Sequence, residues 1–74
     1  MQTTTRTRAL FGKRVREFRL KRKWSQESLS EESELHTTYI RGIERGKRNV
    51  GIENVVKLAR ALKVDVGQLF KGAH

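Results

Sequence analysis

The sequence contains no cysteine, and only two of its 74 residues are histidine. Disulfides and thiolate metal sites are therefore excluded. A chain this short must be stabilised by packed elements, with or without a partner subunit. No pair of acidic residues stands in a catalytic context, and no glycine-rich phosphate loop is present. We therefore expect no enzyme active site, no metal site and no cofactor.

Long apolar runs are also missing, since none approaches the roughly 20 residues that a membrane-spanning helix needs. The N-terminal stretch MQTTTRTRAL has no apolar segment of signal-peptide length. We expect a cytoplasmic protein without a membrane partner. Residues 1–74 should form one domain, in which the Thr- and Arg-rich residues 1–7 are a mobile arm.

Acidic residues are scarce relative to basic ones: 8 Asp and Glu stand against 17 Lys and Arg, which gives a net charge of +9. Residues 6–23 hold nine basic residues and one acid, residues 25–35 hold four acids and no base, and residues 41–48 are basic again. This distribution favours a polyanionic partner, either nucleic acid or an anionic membrane surface, over a merely solvated surface. Nucleic acid is the better prediction.

Apolar residues recur at helical spacing, and strict alternation persists nowhere, so the fold is predicted to be all-α. Four helix starts carry a hydrophobic staple, in which the residue before the N-cap pairs with one five positions on. The pairs are Trp24/Leu29, Leu35/Ile40, Val50/Val55 and Val64/Leu69, around the N-caps Ser25, His36, Gly51 and Asp65. One apolar stripe at helical spacing consists of Ile52, Val55, Val56, Ala59 and Leu62. Five helices are predicted, at residues 7–22, 26–33, 37–45, 52–62 and 66–71.

The third predicted helix has two unlike faces. On a helical wheel Ile40 and Ile43 point one way. The opposite face carries Thr38, Arg41, Gly42 and Arg45, with Thr37 at its edge. A solvated face would more often carry Glu/Lys pairs and alanine, and an interior glycine costs a helix about 1 kcal/mol. Threonine and arginine suit contact with base edges or phosphates. Glycine suits close approach to another surface, although relief of crowding against a neighbouring helix is a second interpretation of Gly42.

Predicted helices 2 and 3 are separated by about three residues, which is the geometry of a helix-turn-helix at residues 25–45. Here the sequence SQESLSEESELHTTYIRGIERGKRNVGIENVVKLARALKV resembles the five-helix phage-repressor (Cro-type) helix-turn-helix family. The resemblance covers about residues 8–71. It rests on the Ser-Gln opening of helix 2, the Tyr-Ile-x-x-Ile-Glu-Arg-Gly run of helix 3 and the Leu-Ala-x-Ala-Leu pattern of helix 4. Within the family, the short length and TYIRGIERGKRN are most like the controller proteins of restriction–modification systems.

This resemblance implies a transcriptional regulator that binds a pseudo-palindromic operator in double-stranded DNA as a homodimer and controls a restriction–modification operon. RNA polymerase is a further candidate partner. The implied base contacts are Thr37, Thr38 and Arg41. The implied contacts to the DNA backbone are Gln26, Tyr39, Arg45, Arg48 and Asn49. A structural ion pair between Arg19 and Glu44 is implied as well.

The dimer interface is expected within residues 55–71. The apolar residues at the end of this segment exceed what so small a core can bury, and they are Val64, Val66, Leu69 and Phe70. Homodimerisation is also what the family uses and what a two-fold operator requires.

Some positions depart from the family pattern. Lys23 and Glu34 stand where glycine is common, so Glu34 should cost about 1 kcal/mol if the turn requires a positive φ. Thr37 replaces an arginine that is common in controller proteins, so their operator sequence should not be transferred to this chain. His36 is interpreted as a helix cap or a phosphate neighbour.

Other functions stay open from the sequence alone. A phage- or plasmid-type repressor, or an antitoxin-like subunit whose main target is a protein, would share the fold. RNA binding is weakened by the shortage of exposed aromatic residues for base stacking. Salt-dependent binding to duplex DNA with a defined half-site distinguishes an operator-binding regulator from a protein-binding or RNA-binding module.

Overall fold

The computed structural model describes residues 5–72 of the chain. Along that range five helices follow one another: α1 (Thr5–Lys21), α2 (Gln26–Ser33), α3 (Thr37–Glu44), α4 (Ile52–Leu62) and α5 (Val66–Leu69). No strand occurs among these residues, and none of the helices has the length and hydropathy to cross a membrane. The prediction of an all-α, five-helix fold is confirmed.

Helices α2 and α4 begin and end where the sequence predicted, whereas α1 begins two residues earlier. Residues 5–7, expected in a mobile arm, are therefore helical, and that part of the prediction is wrong. Arg8 provides a physical reason, because its guanidinium donates to Thr5 Oγ1 at 3.2 Å and to Asn49 Oδ1 at 3.0 Å. The first turn of α1 is thereby fixed to the loop after α3. Residues 1–4 of the predicted arm lie outside the described residues.

Helix α5 ends at Leu69, two residues before its predicted end. Phe70 leaves the helical conformation, with φ −108° and ψ 6°. Its ring packs against Phe11 of α1 with the ring centroids 4.9 Å apart. Contact with α1, which helical periodicity does not reveal, accompanies the early end of α5. The predicted ends of α1 and α3 differ from the structure by one residue each.

The predicted N-caps are all confirmed: Ser25, His36, Gly51 and Asp65 precede α2, α3, α4 and α5 in extended conformations. Ser25 Oγ accepts a hydrogen bond from the Ser28 N–H at 3.0 Å. Asp65 and Gln68 form a capping box, in which the Asp65 N–H donates to Gln68 Oε1 at 2.9 Å. Two of the four helix starts therefore have a side chain that satisfies free backbone donors.

Residues of all five helices meet in one hydrophobic core. Its members are Phe11, Val15, Leu29, Leu35, Ile40, Ile43, Val55, Leu58, Ala59, Ala61, Leu62 and Leu69. The predicted stripe on α4 was off-centre, because the core-facing side is centred on Val55, Leu58 and Leu62. Ile52 lies to one side of that centre and is 80% exposed, so this member of the stripe is not part of the core.

Helix α1 crosses α3 with the two backbones in contact. A Cβ on Gly12 would overlap the Ile43 carbonyl oxygen and would stand 3.1 Å from the Glu44 backbone, so the two helices would have to move apart. Gly46, at φ +73°, then reverses the chain after α3 and lies against the backbone of Ala9. Glycine at position 12 is thus required for the position of α3, a role that the sequence alone did not indicate.

Candidate nucleic-acid interface

The two faces of α3 are buried and exposed in the pattern that the helical wheel predicted. Ile40 and Ile43 are fully buried, whereas Thr38, Arg41 and Arg45 are exposed and Thr37 is half-buried. Within residues 5–72, the side chains of Thr38, Arg41 and Arg45 form no hydrogen bond or ion pair with the rest of the chain. Their hydroxyl and guanidinium groups are therefore available to an external partner.

The inner side of α3 is fixed to α1 by an ion pair. Arg19 Nε donates to Glu44 Oε2 at 2.7 Å and Arg19 Nη2 to Glu44 Oε1 at 2.9 Å, and the two side chains are only 10% and 4% exposed. Arg19 Nη1 also donates to the Trp24 carbonyl at 2.8 Å. The hydrogen bond to Glu44 raises the pKa of the Arg19 guanidinium above its ordinary value, although burial acts in the opposite direction. The structure thus forms the pair that the family resemblance implied.

Glu44 also joins the two helices of the helix-turn-helix to each other. Gln26, the first residue of α2, donates from its side-chain amide to Glu44 Oε1 at 3.2 Å. The family resemblance implies that Gln26 contacts a phosphate. Its side-chain amide is therefore already held by α3 before DNA is bound. One carboxylate group consequently orients α1, α2 and α3 relative to one another.

An open groove lies over this buried network. Arg16, Arg41 and Arg45 line it together with Arg19, Gln26 and Glu44. Three exposed guanidinium groups thus surround the buried Arg19–Glu44 pair, whose opposite charges offset each other. This arrangement is suited to binding a phosphate of the DNA backbone. Arg16 was missed as an individual site residue, although it lies in the basic segment 6–23 and one helical turn before Arg19.

Tyr39 of α3 and the loop after this helix carry the remaining predicted backbone contacts. The Tyr39 hydroxyl donates to the Asn49 carbonyl at 3.4 Å and accepts from Asn54 Nδ2 at 3.2 Å. The Arg48 guanidinium lies 6.0 Å from the centre of the Tyr39 ring. The structure thus brings Tyr39, Arg48 and Asn49 together beside α3, with Asn49 also bound to Arg8.

The predicted dimer residues do not share one environment. Val66 is 40% exposed, whereas Val64 and Phe70 are partly buried against the core. Leu69 is fully buried, so its assignment to the dimer interface was wrong. As the second member of the staple with Val64, it points into the core of its own chain. Ile52, on α4, is the most exposed large apolar residue among those described.

Comparisons with known proteins agree with this geometry. The family model described as helix-turn-helix matches residues 15–69. Control protein C.BamHI of Bacillus amyloliquefaciens is 52% identical over 62 residues, which are 82% of this chain and 76% of that protein. Control protein C.SmaI of Serratia marcescens is 42% identical over 60 residues, 81% of this chain and 71% of that protein.

Two solved structures are also similar to this chain. The restriction–modification controller protein C.AhdI from Aeromonas hydrophila superposes with a TM-score of 0.83 at 44% identity, over 85% of this chain and 96% of that one. The controller protein C.Esp1396I, solved as a tetramer with its natural 35 base-pair operator, gives a TM-score of 0.75 at 29% identity, over 97% and 92% of the two chains. The chain therefore belongs to the helix-turn-helix family, within which it is most like the controller proteins of restriction–modification systems.

Proposed function

We propose that this protein is a sequence-specific transcriptional regulator that binds a pseudo-palindromic DNA operator as a homodimer and controls a restriction–modification operon. The observation that carries this proposal is the exposed Thr/Arg face of α3, which buried contacts hold in place from behind. A rigid support of this kind reduces the freedom that the recognition surface loses on binding. Such a regulator acts in the cytoplasm, where RNA polymerase is a candidate partner.

The predicted DNA contacts divide by position into two roles. Thr37, Thr38 and Arg41 belong to the first two turns, which enter the major groove in a helix-turn-helix, and we assign them to base edges. Arg45 and Arg48 follow at the end of the helix and in the loop, and we assign them to phosphates together with Gln26, Tyr39 and Asn49. The net charge of +9 supplies the attraction to a polyanion.

Selection from a pool of random duplexes tests the function as a whole. The selected sites should contain two related half-sites whose centres lie about 34 Å apart, one turn of the duplex, if two copies of α3 bind adjacent major grooves. The logarithm of the affinity should fall linearly with the logarithm of the salt concentration. A pool without enrichment, or tighter binding to single-stranded RNA than to any selected duplex, would contradict the proposal.

The homodimer is proposed to form through the end of α4 and α5, with Val64, Val66 and Phe70 in the interface. Val66 is the best site for a test, because it is exposed and stands in the first turn of α5, where aspartate is tolerated by the helix dipole. Val66→Asp should sediment as a monomer of 8.6 kDa and bind the operator more weakly.

Leu20 provides the matched control, since it is a 51% exposed apolar residue on α1. Leu20→Asp should remain a dimer. If Ile52→Asp produces a monomer and Val66→Asp does not, the interface lies at the start of α4, and the proposed position is wrong.

A further inference from the structure

Gly42 lies beneath the side chain of Arg48. A Cβ on Gly42 would stand 2.8 Å from Arg48 Cγ, 3.3 Å from its Nε and 3.6 Å from its Cδ. These three nearest atoms all belong to Arg48, so crowding by a neighbouring helix does not explain the glycine. The space that a side chain at position 42 would need is occupied by the aliphatic stem of an arginine from the following loop.

The path of the loop explains how Arg48 returns to α3. Gly46 adopts a φ of +73°, and the Lys47 N–H donates to the Gly42 carbonyl at 2.9 Å. The chain is therefore folded back along the last turn of the helix before Arg48 is reached. The guanidinium then lies over the ring of Tyr39, whose hydroxyl is bound by Asn54.

Position 42 belongs to the outer face of α3, between Thr38 and Tyr39 on the helical wheel. The stem of Arg48 consequently covers a part of the face that is proposed to meet DNA. An arginine that is already held loses less rotamer freedom when it binds a phosphate than one that is free in solvent.

We propose that Gly42 and Tyr39 are positioning residues for Arg48: the glycine provides the space for its stem, and the ring holds its guanidinium where a phosphate of the DNA backbone can be bound. This inference rests on the proposed function. It replaces close approach of the helix backbone to the groove as the reason for the glycine.

Binding to the selected operator tests the inference in four proteins: wild type, Gly42→Ala, Arg48→Ala and the double variant. Because the homodimer carries each substitution twice, each single variant should make the plot of log affinity against log salt shallower by about 1.8, about 0.9 for each lost phosphate contact. The double variant should show no further change, because both substitutions remove the same contact. Gly51→Ala is the control, since a Cβ there meets nothing within 4 Å, and its slope should equal that of the wild type.

Two results would overturn the inference: an unchanged slope in Gly42→Ala, or losses of affinity that add in the double variant. Additive losses would mean that the glycine acts on DNA independently of Arg48.

A measurement on the free protein separates this inference from the proposed function. In the wild type, the ring of Tyr39 should shift the NMR resonances of the Arg48 side chain away from those of an exposed arginine. Gly42→Ala and Tyr39→Leu should both return them to exposed values, while the amide resonances of the buried residues Val15 and Leu58 stay close to their original positions. Arg48 resonances that do not change in Gly42→Ala would refute the positioning role. Absence of any duplex preference in the wild type would instead refute the proposed function.

Discussion

The inner and outer faces of α3 differ in what their residues contact. On the inner face, Ile40 and Ile43 are buried, Glu44 is paired with Arg19, and Gly12 of α1 lies against the helix backbone. On the outer face, Thr38, Arg41 and Arg45 are exposed. A helix of 8 residues is not stable by itself in water. The inner contacts must therefore maintain α3, which leaves the outer residues free for recognition.

The largest effect is expected from the ion pair behind α3. Glu44→Ala leaves the buried Arg19 guanidinium without its partner, and an arginine side chain does not lose its charge in a protein. Removal of one member of a buried pair costs roughly 3–5 kcal/mol. Denaturant unfolding should show this loss. Glu31→Ala, at an exposed position of α2, is the control, and its free energy of unfolding should stay within about 0.5 kcal/mol of the wild type. Equal losses for the two variants would show that the ion pair does not support α3.

A smaller effect on stability is expected when alanine replaces the two helical glycines that lie against neighbouring atoms, Gly12 and Gly42. A methyl group at Gly12 meets backbone atoms that cannot rotate away, so Gly12→Ala should destabilise the fold by about 1–3 kcal/mol. A methyl group at Gly42 meets only the movable side chain of Arg48, so Gly42→Ala should be neutral or stabilise the helix by up to about 1 kcal/mol. The melting temperatures of Gly12→Ala and Gly42→Ala, measured by thermal unfolding, test this difference. A larger loss of stability in Gly42→Ala than in Gly12→Ala would contradict the contrast between the inner and outer faces of α3.

The smallest effect concerns the turn between α2 and α3. Glu34 has a φ of 62°, in the left-handed region that the sequence led us to expect for a glycine-like position. Glu34→Gly should therefore stabilise the protein by up to about 1 kcal/mol, because the strain of the Cβ is removed. Glu31→Gly, within α2, should destabilise it by about the same amount. Chemical denaturation that shows a loss for Glu34→Gly would mean that the turn carries no such strain.

Local signals in the sequence predicted the helices well. The staples and N-caps located the starts of α2, α3, α4 and α5, because these motifs depend on residues close together in the chain. The opposite arrangement of Thr38 and Arg41 against Ile40 and Ile43 followed from helical spacing alone.

Errors arose where the answer depends on a distant element. Periodicity placed Ile52 in an apolar stripe on α4, without showing which part of that stripe meets the other helices. Leu69 was assigned to the dimer interface although its staple with Val64 indicated an inward direction. Gly12 and Gly42 are indistinguishable as helical glycines in the sequence, and only the atoms opposite each one reveal its role.

One measurement tests most directly the division of α3 into a supporting and a recognising face. It is the affinity of Arg41→Ala and Arg45→Ala for a set of single base-pair variants of the selected operator. Arg41→Ala should abolish the preference at one base pair of each half-site, worth about 1–3 kcal/mol, and leave the other preferences intact. Arg45→Ala should weaken binding to all the duplexes about equally and make the salt dependence shallower by about two units, one for each subunit of the homodimer. Base preferences that are unchanged in Arg41→Ala would contradict the assignment of the outer face of α3 to sequence recognition.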